Sequence, residues 1–241
     1  MAVLPRRLVW ITGASSGIGQ ALAFEYGTHA CDVILSGRNE SSLSSLSNKI
    51  SARGGIVSVI ACDVRHESSV NAAARKILDT IGIPDILVNN AGVTVFKRFA
   101  ETTTEEFDDI IATNLRGPFL TTKAILNRMI ERGSGIVMNI VSFAAKTTYT
   151  ESSVYAASKS GLAAMMEGLR AEVRDKEIKI VNVFPGAVLT PIWHPKVQSK
   201  YGHRMMTAAE VAAMIYSVSC QPPSVMVEEL VLRPQSGDIN A

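Results

Sequence analysis

The chain has 241 residues, 47% hydrophobic and 19% charged, with a formal net charge of +2. That length suits one large α/β core, and the interspersed charges form no basic stripe of the kind a nucleic-acid partner needs. No apolar run reaches the roughly 18 residues of a membrane span, and the stretch before Gly13 is too short for a secretory leader, so a cytoplasmic protein is expected.

Short β-rich runs alternate with helical stretches along the chain. Strands are predicted over 7–13, 32–38, 56–64, 85–92, 135–142, 178–186 and 226–234. They are near-continuous apolar runs, the pattern of parallel strands covered on both faces. Helices are predicted over 17–28, 40–53, 67–81, 104–131, 154–176 and 207–219. In the serine-rich second helix, Leu43, Leu46 and Ile50 keep the helical period. The alternation predicts an α/β fold with a doubly wound parallel sheet, and nothing marks a domain cut within 1–241. The least regular stretch, TPIWHPKVQSKYGHRMM at 190–206, reads as a mobile loop or lid. Cys31, Cys62 and Cys220 have no metal-type spacing and read as buried, reduced thiols.

TGASSGIG at 12–19 follows the first strand and opens the first helix. Gly13, Gly17 and Gly19 are spaced G-x-x-x-G-x-G. Glycine closes the turn and lets backbone approach a pyrophosphate, while the helix N-terminus beyond Ser15, Ser16 and Ile18 offers unpaired N–H groups. A plain tight turn would use the same glycines, and the place between strand and helix favours the nucleotide. The second strand ends in LSGRN, with Gly37 where a ribose-binding acid would stand for NAD. Arg38 and Asn39 follow, and a guanidinium there matches the 2′-phosphate of NADP(H) rather than NAD, unless it is a solvated surface arginine. Asp63, with Val64, is placed to bond an adenine amine. Asn90, Ala91 and Gly92 in NNAG suit a wall passed closely by the cofactor, although the amides also suit a turn.

In SSVYAASKSG, Tyr155 and Lys159 are four apart and share a helical face among small residues. An ordinary phenol, with pKa about 10, is a poor acid at neutral pH, and a nearby ammonium favours the phenolate. Small neighbours leave room for cofactor and substrate. Spacing alone is equally met by an exposed helical pair.

The ordered set of TGASSGIG, NNAG, Asn114, Ser142, Tyr155, Lys159 and PGAVLT (185–190) resembles the short-chain dehydrogenases/reductases over essentially the whole chain. The resemblance implies a single Rossmann-type domain with a seven-stranded parallel sheet, and hydride transfer between a nicotinamide and a carbonyl or alcohol. It implies that Tyr155 protonates the carbonyl oxygen, Ser142 orients that oxygen, and Lys159 lowers the Tyr155 pKa and bonds the nicotinamide ribose. Asn114 would hold a water linking Lys159 to solvent. Pro185, Gly186, Val188 and Thr190 would face the nicotinamide. No metal is implied, and family members commonly form homotetramers or dimers through the helices at 104–131 and 154–176.

Substrate choice is not fixed by those motifs. Trp193, His194, Tyr201, Met205 and Met206 fall in the expected lid, and Phe143, Thr148 and Tyr149 adjoin the catalytic residues. The tail VEELVLRPQSGDIN and PGAVLTPIW are similar to carbonyl reductases of the group that includes bacterial sepiapterin reductases. They lack the Val-Asp-Gly-Gly ending usual in 3-ketoacyl carrier-protein reductases. Asp238, in a tail able to fold back, is a candidate anchor for a polar substrate nitrogen. The expected activity is reduction of a small carbonyl compound by NADPH, or the reverse. The alternatives are a 3-ketoacyl thioester reductase and a dinucleotide-sensing protein without turnover.

Overall fold

The computed structural model describes residues 6–239. Among the described residues, nine strands occur in chain order: β1 (Leu8–Thr12), β2 (Asp32–Ser36), β3 (Ile56–Val59), β4 (Ile86–Asn89), β5 (Gly135–Ile140), β6 (Ile178–Pro185), β7 (Val188–Leu189), β8 (Met206–Thr207) and β9 (Glu229–Leu232). Eight α-helices lie between them: α1 (Gly17–Thr28), α2 (Glu40–Ser51), α3 (Glu67–Thr80), α4 (Thr104–Ile111), α5 (Gly117–Arg132), α6 (Ser153–Val173), α7 (Pro195–Tyr201) and α8 (Ala208–Ser219). Seven strands form one parallel sheet in the order β3-β2-β1-β4-β5-β6-β9. The strand order reverses between β1 and β4, which opens a crevice at the carboxyl ends of the strands.

Strand side chains alternate between two cores because successive Cβ atoms point to opposite faces. Val9, Ile11, Val33, Leu35, Val181 and Val183 pack with Leu22 of α1, Leu43 and Leu46 of α2, and Val211 and Ile215 of α8. Trp10, Ile34, Leu87, Val137 and Ile180 pack with Val70 of α3, Ile125 and Met129 of α5, and Leu162 and Met166 of α6. The near-continuous apolar runs in the sequence are therefore two interleaved core patterns.

One polar row crosses the second core. Asn89, Asn139 and Asn182 are register partners on β4, β5 and β6, all buried. Asn89 Nδ2 donates to Asn139 Oδ1 at 2.9 Å, and Asn139 Nδ2 donates to Asn182 Oδ1 at 3.2 Å. Thr121 and Thr122 of α5 close one end at 2.6 and 3.0 Å, and the carbonyl of Ala163 in α6 closes the other at 3.1 Å. Buried amides are tolerated only when paired, so the row fixes the mutual register of these strands and helices.

Three expectations change. The predicted helix 104–131 is interrupted by a π-helical turn over Ala112–Arg116, which contains Asn114. The stretch 190–206 is largely ordered: α7 starts with Pro195 in its first turn, His194 Nδ1 accepts from Lys196 N at 3.2 Å, and β8 pairs with β7. Proline is compatible with a first helical turn, so it marks a start here rather than a loop. Cys31 and Cys62 are buried as expected, but Cys220 is exposed.

Replacing Asn139 by Leu strands the Asn89 donor and the Asn182 acceptor in the core. Each buried unpaired group costs about 1–3 kcal/mol, so urea unfolding of Asn139→Leu is expected to show a loss of about 2–5 kcal/mol. A loss below about 0.5 kcal/mol would show that the row does not hold the strands.

Candidate active site

A cleft of about 1090 Å³ lies at the carboxyl ends of the strands. Its lining includes every residue expected at the cofactor site except Gly19, which lies behind the turn. Gly13 and Gly17 have φ of +63° and +56°, which L side chains rarely adopt. A Cβ at Gly19 would sit 2.4 Å from both Gly13 O and Asn90 Nδ2. Asn90 Nδ2 donates to Thr12 O and Gly13 O, each at 3.0 Å, so its side chain braces the turn. Ser16, the N-cap of α1, makes no side-chain cap bond, which leaves the helix N-terminal N–H groups to face the cleft. This cradle, free of side-chain bulk and rich in N–H donors, fits a dinucleotide phosphate.

Arg38 is exposed at the end of β2 and lines the cleft. Asn39 lines it too, but its Oδ1 accepts from Ser42 N at 3.0 Å and caps α2. Asp63 is gripped by Arg65, with Nη2–Oδ2 at 2.7 Å, and Arg65 reaches on to Asp109 at 2.6 Å. The Arg65 guanidinium holds the Asp63 carboxyl below its usual range. Thr190 is buried against Gly17, whose Cβ would lie 3.3 Å from Thr190. Gly186 N donates to Leu232 O at 2.7 Å, which ties the 185–190 wall to β9.

The catalytic candidates meet at the cleft floor. Ser142 follows β5, Tyr155 and Lys159 project from α6, and all three line the cleft. The Ser142 side chain stands next to the Tyr155 phenol and favours its ionised form. Lys159 is buried and donates from Nζ to Ile140 O at 2.7 Å, with its ammonium 5.9 Å from the Tyr155 ring centroid. Burial pushes the Lys159 ammonium down to about 8. Burial also pushes the Tyr155 phenol up, and the neighbouring Ser142 offsets only part of that. The expected lowering of Tyr155 by Lys159 is therefore outweighed by desolvation, because the ammonium is turned toward Ile140.

Asn114 does not line the cleft. Its Oδ1 accepts from Val93 N and its Nδ2 donates to Val93 O, both at 2.9 Å, and Nδ2 also reaches Ser158 Oγ at 3.1 Å. The π-turn thus uses this amide to hold the loop after β4. A Cβ at Gly92 would stand 3.5 Å from both Asn114 Oδ1 and Lys159 Nζ, so the two heads flank one bare spot.

Phe143, Thr148, Tyr149, Trp193, His194 and Asp238 line the other half of the cleft, whereas Tyr201, Met205 and Met206 do not. Asp238 pairs with Arg233 at 2.8 Å, and the Tyr149 phenol is pushed up to about 12 by burial and by the neighbouring Asp238 carboxylate. Trp193 Nε1 donates to Val188 O at 3.0 Å. Its ring stacks on Phe96 with centroids 5.3 Å apart and planes 12° apart. Phe96 and Arg65 were not singled out by sequence reasoning. Phe96 sits in an irregular loop with no period to mark it, and Arg65 was hidden behind the acid it grips. Among the described residues, no group of three or more His, Cys, Asp or Glu side chains is placed to hold a metal ion. No helix of the described residues is long and apolar enough to cross a membrane.

The family model described as short chain dehydrogenase matches residues 7–201. Sepiapterin reductase of Chlorobaculum tepidum is 36% identical, over 97% of this chain and 98% of that protein. A metagenomic short-chain oxidoreductase solved in complex with NADP is 30% identical, with a TM-score of 0.84 over 95% of this chain and 97% of that one. An actinorhodin polyketide ketoreductase variant solved with NADPH is 28% identical, with a TM-score of 0.90 over 99% of this chain and 100% of that one.

The lowered Lys159 has a consequence for stability. Its folded value of about 8 lies below that of an unfolded lysine, near 10.4. Below pH 8 the burial cost is fully present, and it is relieved as pH rises from 8 to 10.4, where the unfolded chain binds the extra proton. Urea unfolding of wild type and Lys159→Met should therefore show wild type gaining on the variant across that window, by on the order of 2–3 kcal/mol. A difference that stays constant with pH would mean that Lys159 is not desolvated.

Proposed function

Because the chain belongs to the short-chain dehydrogenase family and is an NADP-dependent oxidoreductase acting on alcohol or carbonyl groups, we propose that it reduces small ketones and aldehydes, or oxidises the matching alcohols, with Tyr155 as the proton donor. The meeting of Ser142, Tyr155 and Lys159 on the floor of a cleft that also holds the glycine turn carries this reading. NADPH, when bound, supplies the hydride that reaches the carbonyl carbon. Gly13, Ser15, Ser16, Gly17 and Ile18 would hold its diphosphate, with Gly19 keeping the turn closed. Arg38 and Asn39 would hold the 2′-phosphate, and Asp63 and Val64 would flank the adenine. Asn90, Ala91, Gly92 and Lys159 would bound the ribose side, and Pro185, Gly186, Val188 and Thr190 the nicotinamide.

The phenol of Tyr155 gives its proton to the carbonyl oxygen as that oxygen gains negative charge. Burial suits this direction, since it keeps the phenol protonated until a strong base appears beside it. Ser142 donates to the same oxygen and orients it. Lys159 then stabilises the phenolate, and Asn114, beside it at Gly92, holds the water that returns a proton.

The substrate half of the cleft favours a flat, polar carbonyl compound. Phe143, Tyr149 and the Phe96–Trp193 stack supply aromatic walls, and Asp238 supplies one carboxylate for an N–H-bearing edge. The 36% identical sepiapterin reductase supports a pterin-like substrate. A thioester-linked 3-ketoacyl substrate is the second reading, supported by the likeness to a polyketide ketoreductase. The aromatic stack argues against it, because a pantetheine arm needs an open groove. The intact Ser142, Tyr155 and Lys159 speak against a non-catalytic sensor. A cytoplasmic homo-oligomer is part of the proposal, supported by the exposed rings of Phe107 on α4 and Phe119 on α5.

NADPH oxidation followed against sepiapterin, a small diketone and an acetoacetyl thioester tests this reading. Turnover of sepiapterin or the diketone, with the thioester at least tenfold poorer in kcat/KM, is expected. In the same assay Arg38→Asp should raise KM for NADPH by on the order of 10–100-fold, for loss of a charge-assisted bidentate contact. Preference for the thioester would replace the substrate assignment, and an unchanged KM would remove Arg38 from the phosphate site.

A further inference from the structure

After β9 the chain turns back to the substrate half of the cleft. Gly237 N donates to Pro234 O at 2.9 Å, and Gly237 has a φ of +80°, which closes the turn. The turn brings Asp238 and the buried Ile239 to the cleft lining. Arg204 Nη2 donates to Ser236 O at 3.3 Å and to Asp238 O at 3.4 Å, and Ser236 Oγ donates back to Arg204 O at 3.4 Å. Arg233 does not line the cleft itself. Its Nη2 donates to Asp238 Oδ2 at 2.8 Å and its Nε to Asp238 Oδ1 at 3.3 Å. Its guanidinium carbon lies 4.3 Å from the ring centroid of Phe143. One cation therefore holds both the carboxylate and the aromatic wall next to Ser142.

Among the described residues, three carboxylates line the cleft: Asp63, Glu151 and Asp238. Each faces an arginine. Arg65 holds Asp63 at 2.7 Å, Arg98 stands 4.0 Å from Glu151 in an exposed pair, and Arg233 holds Asp238 at 2.8 Å. The Asp238 side chain is only 22% exposed, so in the substrate half its pairing is the less screened of the two. An ionised carboxylate offers about four lone-pair sites. Arg233 takes one on each Asp238 oxygen, and each oxygen can still accept a bond from the cleft. The pair as a whole carries no net charge. It still receives a neutral N–H or O–H, whereas an ammonium meets the guanidinium's repulsion as well as the carboxylate's attraction.

We propose that Arg233 sets the charge selectivity of the substrate site. By compensating Asp238, it makes the cleft take neutral carbonyl compounds that bear a hydrogen-bonding N–H or O–H, and turn away those that carry an ammonium. This rests on the reading of the cleft as a carbonyl-reducing site, and it names the class of compound that site takes. Arg233 is a positioning residue, acting through Asp238 and Phe143 rather than by touching the substrate. Removing its charge leaves Asp238 as an uncompensated carboxylate at the cleft wall, the arrangement that holds an ammonium. Lysine keeps the charge without the planar fork, so Arg233→Lys keeps the selectivity with a looser hold on Asp238. Arg204 bonds main-chain oxygens of the turn, so it holds the place of Asp238 rather than its charge.

The test uses the full chain loaded with NADP⁺ and a pair of probes of one shape. These are meta-hydroxymethyl acetophenone, which is neutral, and meta-aminomethyl acetophenone, which carries an ammonium at neutral pH. Binding is read by calorimetry, and turnover with NADPH is read separately. Wild type should bind the neutral probe more tightly. Arg233→Gln should move the ratio of the two affinities toward the ammonium by at least about fivefold, the order that a partly exposed ion pair supports. Arg233→Lys should keep the wild-type ratio, and Asp238→Asn added to Arg233→Gln should return the ratio to it. A merely structural role for Arg233 would weaken both probes together and leave the ratio alone. The proposal is overturned if Arg233→Gln leaves the ratio where it was, or if Arg233→Lys moves it as far as Arg233→Gln does. It is also overturned if wild type prefers the ammonium or binds neither probe. Binding without turnover of either probe would count against the carbonyl-reducing function, and the affinity ratio would still decide the role of Arg233.

Discussion

The cleft depends on parallel strands that end at the same level, and the buried amide row Asn89–Asn139–Asn182 is the interaction that sets that level. Apolar packing alone tolerates a sliding strand, because one Val or Ile replaces another at little cost. A chain of paired amides does not, since any slip leaves donors and acceptors unpaired in the core. Asn89 precedes the Asn90–Gly92 wall, Asn139 precedes Ser142, and Asn182 precedes Pro185 and Gly186. The row also bonds α5 through Thr121 and Thr122, and α6 through Ala163. The helix that carries Tyr155 and Lys159 is thereby tied to the strand that leads to Ser142.

Desolvation governs the electrostatics of the floor. Two groups that would favour each other's charged forms in water are both driven toward neutrality, Tyr155 upward and Lys159 downward. The carbonyl of Ile140 takes the Lys159 ammonium, and the neighbouring Ser142 offsets only part of the upward push on Tyr155. A phenol held protonated is a proton donor in waiting, which matches reduction more directly than oxidation. Alcohol oxidation requires the phenolate, and with it a charged Lys159.

Much of this was legible because it is local. The glycine spacing, the strand-two arginine and the Tyr155–Lys159 interval are patterns within a few residues, and a parallel sheet has a recognisable apolar rhythm. The resemblance to a known family supplied the roles that spacing alone left open. What escaped was tertiary. Asn90 braces the glycine turn from across the sheet, and Arg65 neutralises Asp63. Phe96 stacks on Trp193 from an irregular loop, and Arg7 before β1 reaches Cys220 at the end of α8 across more than two hundred residues of chain. The stretch 190–206 reads as a loop because its prolines and mixed composition break any period, whereas Pro195 opens α7 behind the His194 cap.

The central claim is that Tyr155 donates the proton. Its most direct test is Tyr155→Phe, assayed for turnover of the best carbonyl substrate and, separately, for NADPH binding by fluorescence titration. The account predicts a fall in kcat by at least about 10²–10⁴-fold, the range for a lost general acid, with NADPH affinity within about threefold of wild type. Turnover retained to within tenfold, with binding unchanged, would contradict it and move the proton donor to another group on the cleft floor.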